Sequence, residues 1–279
     1  MAGVAGAAYA LYEPYRFRLT TKHLPVRAGT PAVTVLHVSD THLRSETKHV
    51  RSFLERLPDA IGEVPDLVFA TGDFTDDDPS MADAISLLNG LEAKIGRFFV
   101  YGSHDYFDSP GISFGKYFSG GSTEGARRRD ESAMTEALEA KGWKSVINST
   151  EIVETDKGTI RISGVADPYL RWQQTEHIER GPDEDLALAL VHAPDVVSEW
   201  MLNGFDLVVA GHTHGGQVRI PGVGAVVTNC ALPTELAVGP TRIGRGWLHV
   251  SPGMGNGPYT PIRFGCRPEA TLLRLEPRA

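Results

Sequence analysis

Residues 206–216 read DLVVAGHTHGG. Leu207–Ala210 has the length and branched apolar content of a buried strand. The chain then passes through Gly211 to His212 and His214, with Gly215 and Gly216 following. Two histidines two positions apart, bracketed by glycines, are hard to account for as packing. Imidazole pairs of this kind hold metal ions.

The same construction recurs upstream. VTVLHVS leads into Asp40-Thr41-His42, whose carboxylate and imidazole share one side of an extended segment. LVFAT leads into Gly72-Asp73, where glycine permits a sharp exit and presents the aspartate at the tip; the alternative for Asp73 is a cap on the next turn. FFVY leads into Gly102-Ser103-His104-Asp105. A histidine followed by an aspartate is either an acid oriented by a carboxylate or part of a polar turn. LALALV leads into His192, read as a ligand or as a satisfied structural histidine.

Apolar runs at Val33–Val38, Leu67–Ala70, Phe98–Tyr101, Ile160–Val165, Leu186–Val191, Leu207–Ala210, Trp247–Val250 and Thr271–Leu275 predict strands. Helices are predicted at Thr47–Leu57, Ser80–Lys94, Glu131–Ala140 and Asp195–Leu202. This alternation predicts an α/β fold with buried sheets, the last third adding a partly antiparallel one. In such sheets ligands collect at the carboxyl ends of strands. Mixed carboxylate and imidazole donors suit Zn, Mn, Fe or Co rather than calcium. The set is too large for one tetrahedral ion. It fits two divalent transition-metal ions about 3.5–4 Å apart that share one carboxylate.

Composition sets the boundaries. The 279 residues carry 27 basic and 35 acidic side chains, a formal charge of −8, which argues against general nucleic-acid binding. Two cysteines, Cys230 and Cys266, build neither a disulfide framework nor a four-cysteine zinc site, and buried free thiols are expected. Met1–Tyr12 is apolar but short of the roughly 20 residues a membrane span needs. Residues 1–30 are set apart as an N-terminal extension, its start either an anchor remnant or a helical terminus, and residues 31–279 as one domain. The expectation is a cytoplasmic protein, with peripheral membrane contact through the N-terminus as the alternative. The glycine-rich stretch Phe107–Arg129 reads as a lid, a binding loop or surface.

The ordered set Asp40-x-His42, Gly72-Asp73, Gly102-Ser103-His104-Asp105, His192 and Gly211-His212-x-His214 resembles the calcineurin-like metallophosphoesterase superfamily. The segments GHTHGGQVRIPG and VSPGMGNGPYTPIRFGCRPEATLLRL resemble its bacterial branch typified by YkuE and YaeI. The resemblance implies a four-layer αββα sandwich of two mixed β-sheets flanked by helices. It implies Asp40, His42 and His214 as ligands of a first metal, Asp73 as the bridging ligand, and His192 and His212 as ligands of the second. Ser103 stands where the family has an Asn whose side-chain oxygen binds the second metal. The shorter hydroxyl predicts a weak second site that Ser103→Asn tightens. His104 matches the histidine that assists the leaving group, and Asp105 its orienting partner. Purple acid phosphatases carry a Tyr at the position of Asp76, so their iron(III) chemistry is not expected. Asp76-Asp77-Asp78 reads instead as a solvated, helix-capping turn.

The activity implied is hydrolysis of a phosphate ester, a phosphodiester before a monoester, by a hydroxide bridging the two ions. The substrate is expected to be a small molecule or a lipid headgroup. A nuclease and a non-catalytic metal-binding scaffold are the alternatives. Arg127–Arg129, Arg171 and Arg263 are either phosphate clamps or solvated surface, and Tyr106, Phe107, Tyr169 and Trp172 either line a wall or pack.

Overall fold

A computed structural model describes residues 2–108, 126–257 and 260–278. Most of the glycine-rich stretch, residues 109–125, therefore lies outside the described residues.

The strands are β1 (Arg18–Val26), β2 (Val33–Val38), β3 (Leu67–Thr71), β4 (Gly96–Val100), β5 (Trp143–Ser145), β6 (Ser149–Thr155), β7 (Gly158–Gly164), β8 (Leu186–Val191), β9 (Leu207–Ala210), β10 (Arg219–Ile220), β11 (Gly224–Ala225), β12 (Gly239–Ile243), β13 (Gly246–Val250) and β14 (Glu269–Pro277). The helices are α1 (Ala2–Tyr12), α2 (Lys48–Ile61), α3 (Met81–Asn89), α4 (Ser103–Tyr106), α5 (Ser132–Glu139) and α6 (Val197–Leu202).

One six-stranded sheet has the order β1-β14-β2-β3-β4-β5 and the other β12-β13-β9-β8-β7-β6. Both are mixed: β2 to β5 run parallel, as do β7, β8, β9 and β13, while β14 is antiparallel to β2 and β6 and β12 are antiparallel to their neighbours. Strand alternation assigns the layers. Leu186, Leu188 and Leu190 of β8 join Val33 and Val35 of β2 in the core between the sheets. Ala187, Ala189 and Val191 face the opposite way, toward Val197 and Trp200 of α6. Leu36 and Val38 face Leu54 and Leu57 of α2, and Met134 and Leu138 of α5 join the same core. Helices thus cover the outer face of each sheet, giving the four-layer αββα sandwich.

Helix α2 forms because Val50, Leu54 and Leu57 fall on one face at helical spacing. It stops at Gly62, which takes a left-handed φ of 71° and returns its N–H to Pro58 O. Residues 1–30 contribute directly to the sandwich. Strand β1 runs along β14 from Arg18↔Glu269 to Val26↔Pro277. Ala10 O accepts the Arg263 amide, and the buried Glu13 accepts the Gly265 amide. Among the described residues no helix is long and apolar enough to cross a membrane. Cys230 is half-buried, Cys266 is buried, and both are free thiols.

One polar chain crosses the otherwise apolar layer between the sheets. Ser39 Oγ donates to Asp40 Oδ2, and Thr71 Oγ1 donates to Ser39 Oγ. His37 Nε2 must then donate to Thr71 Oγ1 at 2.8 Å, which leaves its Nδ1 to accept from His249 Nδ1 at 2.9 Å. Burial holds both rings neutral. It lowers His249 to a pKa of about 4, and burial together with the neighbouring His249 drives His37 well below its usual value. Between pH 6.5 and about 4 the unfolded chain therefore binds protons at His249 that the folded chain refuses. Stability is complete above pH 6.5 and falls as pH drops through that window, by about 3 kcal/mol from His249 alone. Urea midpoints of the wild type should fall between pH 7 and pH 4.5 more steeply than those of His249→Gln. Equal slopes would show that the pair does not stay neutral in the fold.

Candidate metal centre

The site lies where β2, β3, β4, β8 and β9 end, with both sheets delivering side chains into one cleft. Backbone geometry there is unusual. Nine non-glycine residues among those described have positive φ, and five of them are Asp40 (50°), His42 (42°), Asp73 (53°), His212 (67°) and His214 (48°). Each such residue is strained by roughly 1–3 kcal/mol, and strain of this kind gathers at functional sites. The loops are cross-tied against it: Asp40 N donates to Gly72 O, His42 N to Asp73 O, and His212 N to the Asp40 carboxylate.

Asp73 sits at the centre. Its Oδ2 is 3.5 Å from His42 Nε2 and 3.3 Å from His192 Nε2, while Oδ1 accepts the His104 amide. Asp40 Oδ1 is 3.5 Å from His214 Nε2, and the Nε2 atoms of His42 and His214 face each other at 3.1 Å. Ligand atoms of Asp40, His42 and His214 lie within 4.8 Å of one another, as do those of Asp40, Asp73 and His192. Two donor triads thus adjoin through the two carboxylates. His212 stands beside them, its ring 5.2 Å from that of His192.

Outer contacts decide which ring nitrogen faces inward. Asp76 accepts from His42 Nδ1 at 2.7 Å, which leaves Nε2 as the donor atom. Thr71 O holds His192 Nδ1 at 2.6 Å, Asn229 O holds His212 Nε2 at 3.0 Å, and Arg263 Nη2 faces His214 Nδ1 at 3.3 Å. Burial, then His42 and Arg263, keep His214 neutral, with a pKa well below the usual imidazole value. His192 Nε2 is buried without a hydrogen-bond partner among the described residues. Imidazoles turned toward buried carboxylates, with His192 Nε2 lacking a hydrogen-bond partner and Asp73 raising the His192 pKa well above its usual value, fit a cation.

The structure corrects two expectations about carboxylates. Asp76 is not part of a solvated turn: it is buried, and besides His42 it accepts from His104 Nδ1 at 2.9 Å and pairs with Arg44. Only Asp77 caps the following turn, through Ser80 N. The carboxylate that orients His104 is therefore Asp76 and not Asp105. Asp105 Oδ2 accepts the amides of Asp73 and Gly102, and Oδ1 that of Phe74, so Asp105 ties the β3 and β4 loops together. Burial and the nearby Asp73 push its pKa up to about 6. Burial works against charge on His104, but Asp73 and Asp76 outweigh it and push its pKa up to about 9.

Other candidates sort by position. Ser103 is buried at the start of α4. Arg263 is fully buried and donates to the carbonyls of Pro252 and Gly255, so it braces the loop behind His214 and is not solvated surface. Arg129 is likewise buried against Thr75 O and His104 O. The Arg127 guanidinium binds Asp78 and Asp108, and Arg171 is exposed. Tyr106, Phe107 and Trp172 pack together with the Arg128 guanidinium over them, and Tyr169 packs on His212. Asp167, which follows β7, was absent from the sequence-derived candidates, yet it is buried at the same end of the sheet. Its signal was an aspartate placed, like the others, just past an apolar strand.

Fold and site together define a two-sheet α/β protein that gathers metal-binding donors at its strand ends. The sequence profile of the calcineurin-like phosphoesterases matches residues 33–216, and the chain belongs to that family. It is 28% identical to the uncharacterized metallophosphoesterase YkuE of Bacillus subtilis, over 97% of this chain and 90% of that one. It is 25% identical to the phosphodiesterase YaeI of Escherichia coli, over 97% and 93%. Phosphopantetheinyl hydrolase PptH from Mycobacterium tuberculosis superposes with a TM-score of 0.40 at 12% identity, covering 84% of this chain and 96% of that one.

Gly102 gives the geometry a direct test. A Cβ there would lie 2.3 Å from Asp73 Oδ1 and 2.6 Å from His192 Nε2. Gly102→Ala should weaken Mn binding by about tenfold to a hundredfold, read by titration calorimetry, while circular dichroism shows the fold retained. Unchanged affinity would mean that Asp73 and His192 do not serve a common ion.

Proposed function

We propose that this protein hydrolyses a phosphodiester of a small or lipid-linked molecule, using two divalent transition-metal ions. Asp40, His42 and His214 hold the first ion, His192 and His212 the second, and Asp73 touches both. The observation that carries this reading is Asp73 Oδ2 lying between His42 Nε2 and His192 Nε2, one from each sheet. When bound, such a pair of cations neutralises phosphate oxygens and makes a water acidic enough to act as a nucleophile near neutral pH.

The chain supplies the rest. His104, held through Nδ1 by Asp76, carries on Nε2 the proton for the leaving oxygen. Its pKa of about 9 keeps it an imidazolium at neutral pH, and cations beside it lower that value toward the range useful to a general acid. The diester reading accords with the name of YaeI. The −8 charge disfavours a nuclease, whereas cations in the cleft reverse the local sign for a small anionic substrate. A peripheral membrane contact through α1, with Val4 and Leu11 exposed, suits a lipid-linked substrate.

Bis-p-nitrophenyl phosphate should be hydrolysed faster than p-nitrophenyl phosphate with Mn or Zn, and chelator should stop both. Asp73→Ala should abolish turnover; activity retained by that variant would refute its assignment. Turnover of the monoester alone would make the protein a phosphatase, and no turnover with any metal would favour the scaffold.

His104→Ala should slow alkyl phosphodiesters by about 100-fold. Nitrophenyl esters, whose leaving group needs no proton, should slow far less. Equal losses on the two substrates would remove the acid role from His104.

A further inference from the structure

The second half of the site holds one carboxylate that the reading above does not use. Strand β7 lies between β6 and β8, parallel to β8, which is followed directly by His192. Three residues beyond β7 comes Asp167, whose side chain is fully buried. Its orientation is set locally. Pro168 starts a short 3₁₀ turn, Asp167 Oδ1 caps that turn by accepting the Tyr169 amide at 3.0 Å, and the backbone oxygen takes the amide of Leu170. Oδ2 has no hydrogen-bond partner among the described residues. Burial, with Asp73 adding to it, raises the Asp167 pKa, while His192 and His212 act to favour its charge. Tyr169, held by the same turn, packs its ring 5.0 Å from that of His212.

A buried carboxylate oxygen without a partner is costly unless something cationic meets it. Of the groups around Asp167, His192 and His212 are those assigned to the second ion, and Asp73 is the residue the two ions share. That half also has a deficit: Ser103 is too short to supply the oxygen an Asn would offer. An orphaned oxygen donor and a site lacking one occur together.

We propose that Asp167 supplies the charged oxygen donor of the second cation site, replacing the neutral donor that Ser103 cannot provide. This rests on the two-ion reading of the site. An aspartate in place of an amide adds a negative charge, so the second ion is held firmly despite Ser103. Ser103→Asn then adds little to the wild type, contrary to the expectation from sequence. The donor set of the second half is Asp73, His192, His212 and Asp167.

The test uses Mn alone as probe on the full chain, stripped with chelator and reloaded. Ion content is read by elemental analysis and affinity by titration calorimetry. Wild type should take up two ions per chain. Asp167→Asn and Asp167→Ser both keep a side chain able to cap the turn. Each should leave the first ion unchanged and weaken the second by about tenfold or more. Adding Ser103→Asn to Asp167→Asn should restore the second affinity, whereas Ser103→Asn alone should change it less than about threefold, a non-additivity expected of groups serving one ion. Two ions at wild-type affinity in both Asp167 variants would overturn the assignment and leave the two-ion reading standing. A wild type that takes up a single ion would overturn the two-ion reading and this proposal with it. If neither Asp167 variant folds, Ser103→Asn alone decides: tightening beyond about threefold means the oxygen position was vacant and Asp167 does not fill it.

Discussion

Buried carboxylates gather at the strand ends, and among the described residues imidazoles face them. Asp40 and Asp167 are fully buried, and Asp73 is nearly so. Buried carboxylates of this kind must be paired, coordinated or protonated. The side chains facing Asp40 and Asp73 are imidazoles, which can be neutral donors, not lysines or arginines with fixed charge. The buried Arg263 gives donors to backbone carbonyls, Asn256 and the far nitrogen of His214. In the protein alone the carboxylates draw protons onto neighbouring rings, and His192 and His104 both have raised pKa values. A cation relieves the same imbalance, and most of the surrounding structure can be understood as holding the donors in place for one.

That holding acts against backbone strain. Five left-handed residues in the site would relax if their loops were independent. They are not independent, because backbone hydrogen bonds and two carboxylates tie them to one another. Asp105 gathers the amides of Asp73, Phe74 and Gly102, and Asp40 receives the amide of His212. The first tie joins β3 to β4 within one sheet, and the second joins one sheet to the other. Close approach adds a steric condition: a Cβ on Gly211 would lie 2.0 Å from Ser39 Oγ and 2.4 Å from Asp40 Oδ2. The sheets can meet this tightly only because that position carries no side chain.

The central strands were legible in the sequence for the reason that makes them central. β2, β8 and β9 are buried on both faces, so they read as continuous apolar runs. β1, β6 and β12 were not read as strands because they lie at sheet edges, where Arg18–Val26 and Ser149–Thr155 mix polar and apolar residues without a clear run. The consequence was to treat residues 1–30 as an extension although β1 belongs to a sheet. Motif spacing located the donor residues but not the groups that orient them. Asp76 looks like one of three equivalent acids, yet one backbone rotation separates it from Asp77 and buries it under two histidines. Asp105 follows His104 in sequence, but α4 directs its carboxylate to backbone amides. Such assignments depend on which loops meet, and local pattern carries no trace of that.

The two halves of the site are built differently. In the first half, His42 is locked by Asp76, His214 by Arg263, and Asp40 by Ser39 and the polar chain that runs back to His249. All of these groups are buried, so the first half is stiff and has little contact with solvent. In the second half His192 is fully buried, but one histidine is less enclosed. His212 is partly buried, Tyr169 covers it, and beyond lie Trp172 and the Arg128 guanidinium. Loops that meet solvent tolerate more change than a cross-tied interior. On the two-ion proposal, the loops around His212 are therefore where donor identity can vary without loss of the fold. In the two-ion proposal, affinity for the second ion is therefore set by these short segments and not by the cross-tied interior.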